Sequence, residues 1–230
     1  VLPGAYINFV SMGTNAKMGE RGVAALPLEL NWGPEGQVFK LDAADFNATS
    51  MKVFGYDPTD SNLLLVREAM KRAKTLLIYR VNGGGTKASA TVGGMTVTAK
   101  YGGTRGNAIK VAVITNVDDA TKADVVTYLD GVVMDSQTVA KSGGAASLVA
   151  NDFVTFGTAA TLTAATATAL TGGTNATVNA AKHTAALNAF EVESFNVIGY
   201  PGTNTDVKAL YGAFVKRLRD DEGRKIVGVL

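Results

Sequence analysis

The clearest pattern of apolar and polar positions lies near the end of the chain and predicts a helix between two strands. Residues 195–200 form a short apolar run that Pro201-Gly202 ends, as expected of a buried strand that meets a turn. After Thr205, apolar side chains recur at helical spacing, so they share one stripe of a helix and leave basic side chains outside. The stripe consists of Val207, Leu210, Tyr211, Phe214, Val215 and Leu218. Gly223 can end this helix in the left-handed conformation, and residues 226–230 then form the second strand of a parallel strand–helix–strand unit.

Strand and helix patterns also alternate in the first third of the chain. Short apolar runs predict strands in the second half of 2–10 and at 21–28, 38–41 and 75–81, with a loop at 31–36. Residues 42–54 have weak helical character. A further helix is predicted from Asp60 or Ser61 to about Lys74. Its shared apolar face consists of Leu65, Val66, Ala69, Met70 and Ala73.

The pattern changes at Gly83-Gly84-Gly85. From residue 86 to about 170, Thr, Ala, Val and Gly dominate, charges are few, and short runs of period two alternate with glycine-rich turns. These runs are 88–92, 95–101, 108–115, 125–129, 132–139 and 153–156. Asp130-Gly131 between two of them is a hairpin signal. The pattern favours an all-β domain, sandwich or barrel-like, over the alternative of a single irregular domain.

Helical spacing returns at 178–192, before the strand at 195–200. The predicted fold class is therefore a discontinuous α/β core domain, formed by residues 1–85 and 174–230, with an inserted β-rich domain at 86–173. Gly172-Gly173 mirrors the first glycine run, so both crossings between the domains are expected to be flexible. The chain begins with Val and stops inside a predicted strand, so we expect a piece of a longer protein whose C-terminal part is missing.

The composition mainly excludes classes of function. An apolar share of 47% is ample for a core, and 22 Lys and Arg against 20 Asp and Glu argue against nucleic acid as a main partner. The chain has no cysteine, which excludes disulfides, thiol metal sites and thiol nucleophiles. No run approaches the roughly 18 apolar residues of a membrane helix, so no membrane insertion is expected.

The best glycine motif in the chain is Tyr101-Gly102-Gly103-Thr104-Arg105-Gly106-Asn107. A phosphate loop needs a helix N-terminus after its glycines, whereas a strand pattern follows here. The favoured interpretation is a tight loop between two strands, with Asn107 bonded to the local backbone.

The other candidates for chemistry are the only histidine and two acidic clusters. His183 shares a predicted helix face with Ala186, Leu187 and Phe190 and is expected at the edge of the core. Asp118-Asp119 and Asp220-Asp221-Glu222 lack further ligands at suitable spacing. We therefore expect no catalytic, cofactor-binding or metal-binding residues, no cofactor and no enzymatic activity.

A set of short stretches across nearly the whole chain carries a family resemblance. They are Pro3-Gly4-Ala5-Tyr6-Ile7, Arg21-Gly22-Val23-Ala24-Ala25-Leu26-Pro27, Trp32-Gly33-Pro34, the glycine motif at 101–107, Thr127-Tyr128-Leu129-Asp130-Gly131, Leu170-Thr171-Gly172-Gly173 and Phe195-Asn196-Val197-Ile198-Gly199-Tyr200-Pro201-Gly202. The glycine motif before a β-run and the Leu-Thr-Gly-Gly exit are the most telling. In this order and spacing, the stretches resemble a tail sheath protein of contractile phage tails and phage-tail-like particles, of the type found in Gram-positive bacteria and their prophages.

The resemblance implies a structural subunit of a virion tail or phage-tail-like particle, assembled in the host cytoplasm. Such subunits form a homo-oligomer, a helical sheath of stacked rings around an inner tail tube protein, and they meet baseplate and tail terminator proteins. Terminal arms that add strands to neighbouring subunits join the copies. Contraction of the sheath drives the tube through a cell envelope.

Two alternatives to this function remain open from the residues alone. The first is an α/β ligand-binding or enzymatic protein with a β insertion, whose site lies at the C-terminal ends of strands 75–81 and 195–200. The second is a baseplate or adhesion module, in which the β domain binds a glycan or receptor through exposed aromatic side chains. Tyr101 and Tyr128 are the main aromatic candidates.

Overall fold

Residues 22–230 are the part of the chain that the computed structural model describes, and they form twelve strands and four α-helices. The strands are β1 (Val23–Leu28), β2 (Val38–Asp42), β3 (Thr75–Arg80), β4 (Lys87–Val92), β5 (Met95–Gly102), β6 (Ile109–Thr115), β7 (Lys122–Leu129), β8 (Val132–Ala140), β9 (Val154–Phe156), β10 (Ala165–Ala169), β11 (Val197–Gly199) and β12 (Val227–Val229). The helices are α1 (Phe46–Phe54), α2 (Leu64–Met70), α3 (Ala180–Glu191) and α4 (Thr205–Asp220). The strand predicted within residues 2–10 lies outside the described residues.

Five strands form a mixed sheet in the order β12-β11-β1-β3-β2, in which the edge strand β2 is antiparallel to its neighbour. The central strand β1 pairs with β3 from Val23 opposite Thr75 to Leu28 opposite Arg80. The predicted strand–helix–strand unit is confirmed, because β12 follows α4 and pairs with β11 in parallel. Gly223 has a φ of 67°, the predicted left-handed conformation after the helix.

Helices cover both faces of this sheet. α3 and α4 pack on one face, where Leu77 lies in the same apolar cluster as Tyr211. α1 and α2 pack on the other face, where Leu76 shares a cluster with Phe54. Successive side chains of β3 therefore point into different cores, and all six of its residues are buried.

The helix predicted from residue 60 to 74 is shorter than expected, and part of its predicted face is wrong. Asp60 caps a 3-10 turn, Ser61–Leu63, and α2 then runs only to Met70. Val66 is 1% exposed, whereas Leu65 is 53% exposed. The reason is that successive residues of an α-helix are rotated by about 100°, so that Leu65 points away once Leu63 and Val66 face the core.

The stripe of α4 is confirmed at its centre and is weaker at its margin. Val207, Tyr211, Phe214 and Leu218 are buried, at intervals of four, three and four residues. Leu210 and Val215 flank this line and are only half-buried. Asn204 caps the helix by accepting hydrogen bonds from the backbone N–H groups of Asp206 and Val207.

Residues 87–169 form two further sheets that enclose a separate apolar core. One sheet has the order β10-β6-β7-β8 and the other β4-β5-β9, and all their pairings are antiparallel. The predicted hairpin turn is confirmed, because Asp130 and Gly131 both have positive φ angles, 52° and 82°. The sequence patterns missed β10, whose alternating Thr and Ala side chains lack a strong apolar face. We call this pair of sheets the sandwich.

Candidate assembly surface

The glycine motif at 101–107 joins β5 to β6 and packs against a distant part of the chain. A short 3-10 turn, Thr104–Ala108, begins within it, and strand β6 follows as predicted, so the loop lacks the α-helix N-terminus that a phosphate site needs. The prediction that Asn107 bonds to the local backbone is wrong. Its amide accepts a hydrogen bond from the N–H of Gly173 at 2.8 Å and donates one to the carbonyl of Gly173 at 2.9 Å. The motif is therefore a structural contact between segments 66 residues apart.

Arg105 in the same motif connects the sandwich to the segment after α1, which packs on the five-stranded sheet. The sequence did not indicate this role. Its Nε donates to the carbonyl of Gly55, just after α1, at 2.7 Å. Its two Nη groups pair with the carboxylate of Asp130 in the β7–β8 hairpin. The guanidinium also lies over the ring of Tyr56, 4.3 Å from the centroid.

Trp32 is a second residue that joins the two parts of the chain. It comes from the loop after β1, yet it is 1% exposed and belongs to the apolar core of the sandwich. Its ring meets Tyr101 edge-on at 5.3 Å and stacks with Phe153 at 6.4 Å. Its indole N–H is buried and has no hydrogen-bond partner among the described residues. The contact is therefore made by apolar packing.

His183 lies where its helix pattern predicts, on the buried face of α3 with Ala186, Leu187 and Phe190. Its Nδ1 is 3.2 Å from the hydroxyl of Tyr211. Burial lowers the pKa of His183 below its ordinary value, and the charge of Glu29 partly offsets this effect. Burial also raises the pKa of Tyr211. Both groups are consequently neutral near pH 7, as packed core residues are expected to be.

The acidic clusters have local structural roles. Asp119 accepts hydrogen bonds from the backbone and hydroxyl of Thr121 within a turn, and these bonds lower the pKa of its carboxyl. Glu222 pairs with Arg217 and Arg224 at the end of α4. Among residues 22–230, no group of three or more His, Cys, Asp or Glu side chains is placed to hold a metal ion.

A cavity of about 240 Å³ lies at the C-terminal ends of the parallel strands, where the ligand-binding alternative places its site. Leu28, Val66 and Val81 supply apolar walls. Asn62 and Glu29 at its rim are exposed, and His183 is bonded to Tyr211. The polar groups that line this cavity are therefore exposed or bonded within the fold. The buried polar side chains at the end of β3, Arg80 and Asn82, do not line the cavity and are bonded to other segments of the chain.

The aromatic side chains proposed for the adhesion alternative do not form a shared exposed face. Tyr101 is partly buried against Trp32, and burial raises the pKa of its hydroxyl. Tyr128 is half-buried on β7, beside a shallow apolar depression of the sandwich.

In the described part of the chain, no helix is long and apolar enough to cross a membrane.

The strongest candidate for assembly is the edge of the five-stranded sheet at β12. This strand pairs with β11 on one side only, and the structure shows no strand on its other side among residues 22–230. Val227 and Val229 are 53% and 61% exposed. A largely apolar groove of about 470 Å³ lies beside them, on the face of the sheet that carries α2. Val23, Leu26 and Val229 are among the residues that line it. An unpaired edge next to an apolar face is a template for another strand.

Comparison with protein families gives matches along the whole described part of the chain. Residues 21–81 match the model described as tail sheath protein Gp18 domain III, N-terminal region. Residues 83–179 match the phage tail sheath protein beta-sandwich domain, and residues 176–230 match the phage tail sheath protein central domain. The sandwich of the structure lies within the second of these matches.

Two similar proteins are known from Bacillus subtilis. The phage-like element PBSX protein XkdK of Bacillus subtilis is 40% identical over 98% of this chain, and the uncharacterized protein YqbK of the same organism is 41% identical over 99%. The chain spans about half of each of these relatives, 52% of their length.

Two solved structures share the fold as well as the sequence. The sheath tail protein of Desulfitobacterium hafniense is 45% identical with a TM-score of 0.86, over 99% of this chain and 52% of that one. The sheath tail protein of Listeria innocua is 39% identical with a TM-score of 0.80, over 92% of this chain and 48% of that one. With three family models matching in order along residues 21–230, this chain belongs to the phage tail sheath proteins of Gram-positive type, a structural and not an enzymatic family.

Proposed function

We propose that this chain is part of the subunit that polymerises in rings around an inner tail tube and contracts to drive the tube through a cell envelope. The observation that carries the proposal is the open edge at β12, which can accept a strand from another segment or another copy. Main-chain hydrogen bonds at such an edge need no particular side chain and tolerate small changes of geometry. Many such contacts, each with two alternative arrangements, can produce a large motion when summed over a tube.

We also propose that the subunits form a homo-oligomer, contact the inner tube protein, and end at baseplate and tail terminator proteins. The sheath belongs to a virion tail or phage-tail-like particle that is assembled in the host cytoplasm. Since the relatives are about twice as long, we propose that a further C-terminal part contributes to these contacts.

We further propose a division into two domains, with the α/β core at 1–85 and 174–230 and the β-rich insertion at 86–173. The sheet topology supports it, because every strand of the sandwich lies between Lys87 and Ala169. The family models also change near these positions, at residues 81–83 and 176–179.

The experiment uses the full-length protein, which is incubated and viewed by electron microscopy for helical tubes. Val229→Lys at the open edge is compared with Val132→Lys on β8, another exposed valine on an edge strand. We expect Val229→Lys to abolish or strongly reduce tubes, because a charge at the edge opposes strand addition, and Val132→Lys to form them normally. Both variants should keep the parental thermal unfolding midpoint. Normal tubes from Val229→Lys would show that the β12 edge is not an assembly contact.

A further inference from the structure

The two crossings between the five-stranded sheet and the sandwich run side by side and are bonded to each other. Thr86 donates its N–H to the hydroxyl of Thr174 at 3.1 Å and accepts the N–H of Thr174 at 3.1 Å. Ala176 donates to the carbonyl of Asn82 at 3.1 Å. A Cβ on Gly85 would lie 1.9 Å from the carbonyl oxygen of Thr174. The glycine at this position is therefore required by the close approach of two backbones.

Arg80, the last residue of β3, lies at the centre of this joint and is 1% exposed. Its guanidinium donates to the carbonyl of Gly102 at 2.7 Å, the carbonyl of Gly33 at 3.2 Å, and the side-chain oxygens of Asn82 and Asn175 at 3.2 Å each. These acceptors belong to the sandwich, the loop after β1, and both crossings. One side chain thus contacts every segment that meets at the joint.

The acceptors of Arg80 are all neutral, and it forms no ion pair within residues 22–230. Burial accordingly lowers the pKa of Arg80, although the charge of Glu35 partly offsets this. A buried cation is stable only while its hydrogen bonds are satisfied. Rotation of the sandwich would remove the carbonyl of Gly102 and leave one N–H of Arg80 Nη1 buried without a partner, and this cost favours the observed orientation.

The two asparagine side chains that accept from Arg80, Asn82 and Asn175, are positioned by further hydrogen bonds. The amide of Asn175 donates to the side-chain oxygen of Asn31 at 2.8 Å, and its oxygen also accepts the N–H of Thr104 at 3.3 Å. The oxygen of Asn82 accepts the N–H of Leu30 at 2.9 Å as well as Arg80. The network therefore extends from the five-stranded sheet, through the loop at 30–33, to Thr104 in the glycine motif of the sandwich.

We propose that Arg80 locks the sandwich to the five-stranded sheet in a single orientation, so that the glycine-rich crossings form a fixed joint and not a hinge. The lock is built from contacts within one chain, and it holds whether or not the chain assembles. The sheet and sandwich then behave as one rigid body.

Pulsed electron paramagnetic resonance tests the lock directly in this cysteine-free chain. Spin labels are attached to cysteines introduced at Lys216 on α4 and Ser136 on β8, both exposed positions. We expect one narrow distance distribution in the labelled parent. Arg80→Met should broaden it or add a second population, whereas Arg72→Met, at an exposed position, should leave it unchanged.

A broad distribution in the parent would overturn the lock, and so would a narrow one in folded Arg80→Met. If Arg80→Met does not fold, Asn175→Ala is measured instead, since it removes one acceptor of Arg80 from a half-buried position. Broadening in that variant supports the lock, and an unchanged narrow distribution contradicts it. Circular dichroism of each variant confirms that the comparison is made between folded proteins.

Discussion

At the scale of single residues, the buried polar side chains decide how tightly parts of this molecule are held. Arg80 and Asn82 are buried, and the guanidinium of Arg80 and the side-chain oxygen of Asn82 each bond to a segment far away in sequence. His183 is 6% exposed, and its ring meets Tyr200 and Tyr211 edge-on. A polar group in such surroundings stabilises the fold only in the protonation state that its neighbours accommodate.

His183 gives the chain a stability that falls at mildly acidic pH. Its pKa in the folded state is below the ordinary value of 6.5, mainly because of burial. The unfolded chain therefore binds more protons, so stability is fully present above pH 6.5 and is lost as the pH falls below that value. Urea unfolding at pH values above and below 6.5 should show this loss in the parent and a smaller one in His183→Gln, which can still bond to Tyr211. Equal losses in both proteins would contradict the assignment.

At the scale of secondary-structure elements, glycines serve different purposes in turns and in helices. Gly131 has a φ of 82° in the β7–β8 hairpin, with open space where a Cβ would lie. Gly212 is within α4, where a Cβ would meet only Leu230 Cδ1, at 3.7 Å. Gly131 therefore has a left-handed backbone conformation that other residues rarely adopt, whereas Gly212 has an ordinary helical backbone.

The same substitution at these two glycines should therefore change stability in opposite directions. Gly131→Ala should lower the free energy of unfolding by about 1–2 kcal/mol, because the left-handed conformation is strained for an L-residue. Gly212→Ala should raise it by about 0.5–1 kcal/mol, because alanine loses less backbone freedom in a helix. Denaturant midpoints at constant slope measure both effects, and shifts of the same sign would show that the turn or the helix is wrongly assigned.

At the scale of the whole molecule, the described residues form three apolar clusters, and the loop after β1 contributes Leu30 to one and Trp32 to another. Two of them lie on opposite faces of the five-stranded sheet, and the third fills the sandwich and includes Trp32. Lys52 on α1 adds an ion pair to Asp152 of the sandwich at 3.1 Å. This pair is exposed and contributes little, so the apolar contact of Trp32 and the hydrogen bonds of Arg80 and Arg105 dominate the connection.

Trp32, the only tryptophan, reports on this connection because its ring is buried in the sandwich core. We expect its fluorescence and the far-ultraviolet circular dichroism to change in one coincident transition during urea unfolding, as for a cooperative unit. Loosening of the joint by Arg80→Met should separate the two curves, with fluorescence changing first. Separate curves in the parent would instead indicate that the sandwich opens independently of the sheet.

The sequence by itself determined the elements whose signals are local. The stripe of α4, the continuous apolar run of β3 and the Asp130-Gly131 turn each depend on side chains close together in the chain, and each was predicted correctly. The family was also predicted from short stretches of sequence, and three family models match the chain in order. Strand β10 was missed because its alternating Ala and Thr side chains form no strongly apolar face, and its pairing with β6 supplies the stabilisation.

Tertiary structure alone decided the junction and the open edge. Trp32 stands in a loop without periodicity, and no local pattern shows that it enters the core of another sheet. Glycine runs are compatible with either a flexible hinge or a close backbone approach, and only the position of Thr174 against Gly85 distinguishes the two. Asn107 and Arg80 likewise acquire their roles from partners that are distant in sequence. Such roles depend on which surfaces meet after folding, and residue types alone do not specify this.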